Sequence, residues 1–176
     1  STPVDVRLGQ GSGYHAAVQG AVEEINAGLL EKVILSRVVE LPEEIDLPAT
    51  YLTGRRGNQP ARSFLLNLGG IEALGFSPEI VVTVTSDKVV HSQPLAGTRA
   101  LTGCGAIDSA LRAELLSNPK EIYEHAISVK TGADELVEVC QEGTVQVPEF
   151  MAVRERGSVQ HLASQVCGVL REENGP

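Results

Sequence analysis

Between Arg62 and Gln93 four apolar, β-branched runs follow one another with almost no chain between them: RSFLLNL and IEALGF about Gly69-Gly70, then IVVTVT and KVVHSQ about Ser86-Asp87. Two-residue connections of this composition close tight hairpins, and they are far too short for the crossover that parallel neighbours need. The region must therefore be antiparallel. Before it, Ser12 can cap a helix whose apolar residues Tyr14, Val18, Val22, Ile25 and Leu29 recur at three- and four-residue spacing, with Gly28 suited to its end. The period then changes, and KVILSRVVEL over residues 32–41 predicts a buried strand. Pro48 and the stretch GRRGNQP frame a short helix and loop.

Two helices come after the hairpins. The first is predicted over residues 106–116. The second has Asn118 as cap, Pro119 at its first position and an apolar stripe of Ile122, Ala126, Val129, Ala133, Leu136 and Cys140, with Gly143 ending it. Residues 144–153 and 158–170 read as strands around the polar turn 154–157. Clustered strands with segregated helices predict an α+β fold, with antiparallel sheets and helices packed outside them.

A chain of 176 residues, 42% of them hydrophobic, can bury one sizeable core. Its net charge is -9 and its longest basic run is Arg55-Arg56, so nothing in it attracts nucleic acid or an acidic lipid surface. Cys104, Cys140 and Cys167 are odd in number and widely spaced, as reduced thiols of a cytoplasmic protein would be. No stretch approaches the ~18 apolar residues of a membrane span, and the start, STPVDVRLGQ, lacks a basic segment followed by an apolar block. A cytoplasmic protein is expected.

Several residues carry possible chemistry. Lys32 begins an apolar run, where desolvation lowers a lysine pKa and makes a base near neutral pH; the alternative is a strand-edge lysine whose charge reaches solvent. Glu79 follows Pro78 at a strand entry, either as a carboxyl with raised pKa acting as an acid or as a solvated residue. In PLAGTRA, residues 94–100, Gly97 allows close approach to a ligand and Thr98 and Arg99 add a hydroxyl and a guanidinium; a simple tight loop explains the same letters. Glu121 and Glu124 share one side of a helix with His125 nearby, which suits a hard cation such as Mg2+ or merely favours the helix's positive end. His161, in an apolar strand, is either a hydrogen-bonded core histidine or a ligand group.

Taken together, KVILSR (32–37), RSFLLNLGGIEALGFSPE (62–79), PLAGTRA (94–100), KEIYEHAISV (120–129) and MAVRERGSVQHL (151–162) resemble the chorismate-utilising enzymes, most closely the salicylate synthases of siderophore pathways. The likeness runs over nearly the whole chain, from about residue 14 to 170. It implies that Lys32 is the general base activating water and Glu79 the general acid, in an attack on chorismate that gives isochorismate, from which pyruvate is then eliminated. It implies Mg2+ at Glu121 and Glu124, and a substrate site that includes Gly97, Thr98 and His161. Members that use ammonia lack the lysine, and plain isochorismate synthases tend to have a small residue in place of Thr98, so the resemblance points to water as nucleophile and salicylate as product. Gln93 departs from the glutamate frequent in relatives. The family's later metal-binding and carboxylate-binding segments, and an N-terminal portion, have no counterpart. The whole chain, residues 1–176, is therefore expected to be a partial chorismate-binding catalytic domain that lacks both the N-terminal and the C-terminal portions of the family fold, its polar tail REENGP has no structural terminator, and the remaining segments of the same enzyme are an expected partner. An isochorismate synthase and a non-catalytic interaction module are the alternatives.

Overall fold

A computed structural model describes residues 12–41 and 44–172. The chain divides into two compact units, Ser1–Asp46 and Leu47–Pro176.

In the first unit, α1 (Ser12–Asn26) is the expected helix. The proposed Ser12 cap falls on a side chain outside the described residues. The strand predicted over residues 32–41 is not formed. A strand needs a neighbour for its N–H and C=O groups, and no described strand pairs with this segment. Its apolar side chains are correspondingly exposed, 84% at Ile34 and 93% at Val38. Contacts with α1 hold the segment instead: the Tyr14 hydroxyl donates to the Leu35 carbonyl at 3.4 Å, and the Arg37 guanidinium lies 5.4 Å from the centre of the Tyr14 ring.

The second unit begins with α2 (Leu47–Gly57), which packs on a hairpin of β1 (Arg62–Leu68) and β2 (Ile71–Ser77). Tyr51 of α2 stacks on Phe76 of β2 with ring centres 5.6 Å apart, and its hydroxyl meets Ser63 Oγ of β1 at 2.9 Å. Leu68 pairs with Ile71, so Gly69-Gly70 is the whole turn, and both glycines have positive φ, 56° and 90°. Next come β3 (Ile80–Val84), β4 (Val89–Gln93), β5 (Leu95–Ala100), α3 (Gly105–Ser117), α4 (Pro119–Val139), β6 (Gln146–Arg156) and β7 (Val159–Val169). The α+β expectation holds: every strand pair is antiparallel, and the helices are segregated from the strands in sequence.

β7 is the centre of a five-stranded sheet. β6 pairs along one of its edges, and β4 and β5 lie end to end along the other. Register is unbroken from Val89↔Val169 to Leu95↔Ala163, and the Ser164 N–H donates to the Pro94 carbonyl at 3.1 Å, so Pro94 interrupts the ladder without ending it. PLAGTRA is thus mostly strand, not the tight loop that the local sequence also allowed. Strand β6 runs on to Arg156, past its expected end at residue 153, because the turn before Val159 contracts to Gly157-Ser158, while β7 falls within the expected segment.

The core joins Val90 of β4, Val129 and Leu136 of α4, Val166 of β7, Cys140 and Leu170. Fully burying each valine or leucine contributes roughly 1.5–3 kcal/mol. The helix is rotated relative to the expected stripe. Its buried residues are Glu121, His125, Val129, Gly132 and Leu136, whereas Ile122 and Ala126 are half-buried. The reason is that the two polar residues find partners inside: His125 Nε2 lies 2.7 Å from Ser164 Oγ of β7, and Glu121 pairs with Arg99.

Asn118 caps α4 as expected, its Oδ1 accepting from the N–H groups of Lys120 and Glu121. Replacing Asn118 with Ala should lower unfolding free energy by about 1 kcal/mol. Urea denaturation checks this, and an unchanged midpoint would show that the cap contributes nothing.

Candidate active site

The decisive local feature is a one-residue slip in β5. Leu95 faces Ala163 and Thr98 faces His161, so three steps along β5 match two along β7. This is a β-bulge, and Gly97 within it has φ 87°. A Cβ at Gly97 would lie 3.2 Å from both Glu121 Oε2 and Leu115 Cδ1, so the bulge backbone fits tightly against α3 and α4. The next residue turns the opposite way.

Directly paired residues of an antiparallel ladder share a face, so Thr98 joins His161. On β7 the residues Ser164 and Val166 meet α4, and alternation places His161 and Gln165 on the other face. There Thr98 Oγ1 lies 2.9 Å from His161 Nδ1, and Gln165 Nε2 donates to His91 Nδ1 at 3.0 Å. His161 is 8% exposed, and its Nε2 is buried with no hydrogen-bond partner among the described residues. Burial, with a smaller contribution from the Arg156 charge, lowers the imidazole pKa and favours the uncharged ring. An uncharged ring with one nitrogen fixed by a hydroxyl and the other buried without a partner among the described residues is suited to hydrogen-bonding an uncharged or anionic group.

Glu79 lies in the β2–β3 connection, half-buried. Its carbonyl accepts from Ser77 Oγ at 2.8 Å, and Arg156 Nε donates to the neighbouring Pro78 carbonyl at 3.4 Å. Arg156 pairs with Val159, as does Ala100, so the Glu79 segment is tied to the end of β7 that carries His161. Lys32 belongs to the first unit, where it is half-buried in the segment held by Tyr14.

On the helix side, Arg99 forms a fork with the Glu114 carboxylate, through Nε and through Nη2 at 2.8 Å, while its Nη1 reaches Glu121 Oε1 at 3.1 Å. Hydrogen bonds from Arg99, then Asn118, hold the Glu114 carboxyl down to about 2, and Glu114 and then Glu121 raise the guanidinium further. One turn along, Lys120 Nζ stands 3.6 Å from Glu121 Oε1 and 3.1 Å from Glu124 Oε2. The two carboxylates thus converge on a common cationic position. Oxygen donors converging in this way fit a hard divalent ion that keeps several waters. No group of three or more His, Cys, Asp or Glu capable of holding a metal occurs among the described residues.

The second unit therefore holds Gly97, Thr98 and His161 about one bulge, with Glu121 packed behind it, Glu124 beside Glu121, and Glu79 on the adjoining connection. Sequence reasoning leaves out the pairing of Arg99 with Glu114, the anchoring by Arg156, and the Ser164–His125 contact. Their partners are distant in the chain, and the available signal is only that both arginines fall inside the segments PLAGTRA and MAVRERGSVQHL.

The family model for chorismate binding enzyme matches residues 7–176. The chain belongs to that family. It is 54% identical to the salicylate synthase of Mycolicibacterium paratuberculosis over 164 residues, 93% of this chain and 36% of that protein. It is 38% identical to anthranilate synthase component 1 of Methanothermobacter thermautotrophicus, across 90% of this chain and 34% of the relative. A Bacillus anthracis structure assigned as a 2,3-dihydroxybenzoate-specific isochorismate synthase superposes with a TM-score of 0.79 at 32% identity, covering 92% of this chain and 44% of that one. Anthranilate synthase component I of Streptococcus pneumoniae superposes with a TM-score of 0.72 at 27% identity, covering 91% and 34%. The chain thus spans about a third of the length of the M. paratuberculosis and M. thermautotrophicus proteins. Among the described residues no helix is long and apolar enough to cross a membrane.

Changing Gly97 to Ala should cost about 1–2 kcal/mol of stability, because a side chain at this positive φ is strained and its Cβ presses on Glu121 and Leu115. Denaturant titration measures it. A variant as stable as the parent would mean that the bulge relaxes freely.

Proposed function

We propose that the enzyme containing this chain converts chorismate to isochorismate, and isochorismate to salicylate and pyruvate. The observation that carries this reading is the identity with a salicylate synthase over nearly the whole chain. The bulge geometry supports it, since Thr98 on the edge strand β5 and His161 on the central strand β7 are fixed beside one another as hydrogen-bonding groups. In this reading Lys32 is the general base that takes a proton from water as the water oxygen attacks the ring. Glu79, as the neutral acid, delivers a proton to the departing hydroxyl on the opposite face. The net change of this step is exchange of one hydroxyl for another at a different carbon, so no oxidant or reductant is required.

In this reading Thr98 and His161 bind and orient the substrate, and Gly97 contributes through the bulge that turns Thr98 to the face of His161. Glu121 and Glu124 would hold Mg2+, which supplies positive charge to clamp and neutralise the ring carboxylate. A cytoplasmic enzyme of siderophore biosynthesis is the setting that this assignment suggests.

The second reading is an isochorismate synthase that stops after the hydroxyl exchange, favoured by the close superposition on the B. anthracis structure. Chromatography of the products separates the two, because only the first releases salicylate and pyruvate.

In the full-length enzyme, Lys32→Ala and Glu79→Gln should each slow isochorismate formation by ~100-fold or more. Steady-state kinetics with chorismate tests this. A rate within about tenfold of the parent for either variant removes that residue from general acid–base catalysis.

A further inference from the structure

The Glu121 carboxylate is already engaged by two side-chain cations. Arg99 Nη1 is 3.1 Å from Oε1, and Lys120 Nζ is 3.6 Å from the same oxygen. The two cations differ in how they are held. Lys120 is 66% exposed and reaches the carboxylates from solvent. Arg99 is 21% exposed, its guanidinium is clamped by the Glu114 fork, and its Nη1 also donates to the Thr98 carbonyl at 2.7 Å. Glu121 itself is buried, so removing its counter-charge leaves a costly unpaired carboxylate.

We propose that Arg99, anchored by Glu114, is the resident counter-cation of Glu121, and that a divalent ion entering between Glu121 and Glu124 must displace or share that arginine, so Arg99 sets how tightly the site takes metal. The inference rests on the assignment of these glutamates as metal ligands. Its physical basis is direct. A positive charge within hydrogen-bonding distance of a ligand oxygen both repels an incoming ion and occupies the lone pair that the ion needs. The same arginine keeps Glu121 stable without metal and hence keeps the helix start docked on the bulge. Because Arg99 directly follows Thr98, its movement on metal binding is coupled through one peptide unit to the residue that faces His161.

The test titrates Mn2+ into the protein and follows the free ion by electron paramagnetic resonance, alongside thermal unfolding with and without the ion. The parent should bind Mn2+ in a manner lost in Glu121→Gln. Arg99→Gln should bind roughly tenfold more tightly, since one nearby opposing charge is gone. It should also melt lower in chelator and gain more from Mn2+ than the parent does. Arg99→Lys should bind as the parent does. Glu114→Gln, which leaves Arg99 no carboxylate other than Glu121, should bind more weakly and keeps the idea testable if Arg99→Gln fails to fold.

Binding that survives Glu121→Gln would overturn the metal assignment and this inference with it. Glu121-dependent binding that is equal or weaker in Arg99→Gln, or equal or tighter in Glu114→Gln, would overturn the role of Arg99 while leaving the metal assignment in place.

Discussion

Pairing along β7 is the constraint on which the second unit depends. One edge of this strand carries β6, and the other carries β4 and β5 in a single line. Its residues alternate between the helix-facing core, where Val166 meets Val129 and Leu136, and the opposite face, where His161 and Gln165 lie. Because side-chain direction has a period of two, a one-residue slip would exchange the faces. The bulge at Gly97 makes such a slip in β5. It brings Thr98 to the face of His161 and leaves Gly97 and Arg99 against α3 and α4. Fold and site are therefore joined at a single backbone irregularity.

The polar start of α4 is the second feature that links energetics to chemistry. A helix that buries Glu121 and His125 forgoes the hydrophobic stabilisation that Ile122 and Ala126 would supply on the same surface. Burial of such groups is tolerated where they are paired. Ser164 Oγ accepts the Met151 N–H at 2.9 Å while it contacts His125, and Met151 itself sits at φ 55° at an irregularity of β6. Arg99 and Glu114 do the corresponding work for Glu121. Glu121 is thus held in place by protein partners from two other elements.

Much of the fold is legible in sequence because its signals are local. The Gly69-Gly70 turn, the Ser86-Asp87 hairpin, the Asn118-Pro119 helix start and the length of α4 each follow from a few adjacent residues. What stays hidden depends on distant partners. KVILSRVVEL has the composition of a strand, yet composition cannot supply a neighbour, and no described strand pairs with it. PLAGTRA hides a strand because Pro94 and Gly97 look like loop residues until β7 provides register. The rotation of α4 is hidden for the same reason, since Ser164 and Arg99 come from other elements. For the site, Thr98 beside His161 was legible only through the family resemblance, and the cationic partners of Glu121 were not legible at all.

The central claim is that water, activated within this family fold, becomes the new ring hydroxyl and that pyruvate then leaves from the neighbouring carbon. Turnover of chorismate by the full-length enzyme in water enriched in oxygen-18 tests it most directly, with mass spectrometry of the products. The account predicts salicylate that carries the heavy oxygen in its phenolic hydroxyl, together with pyruvate formed in equal amount. Unlabelled salicylate, or an aminated ring product formed when ammonia is present, would contradict it.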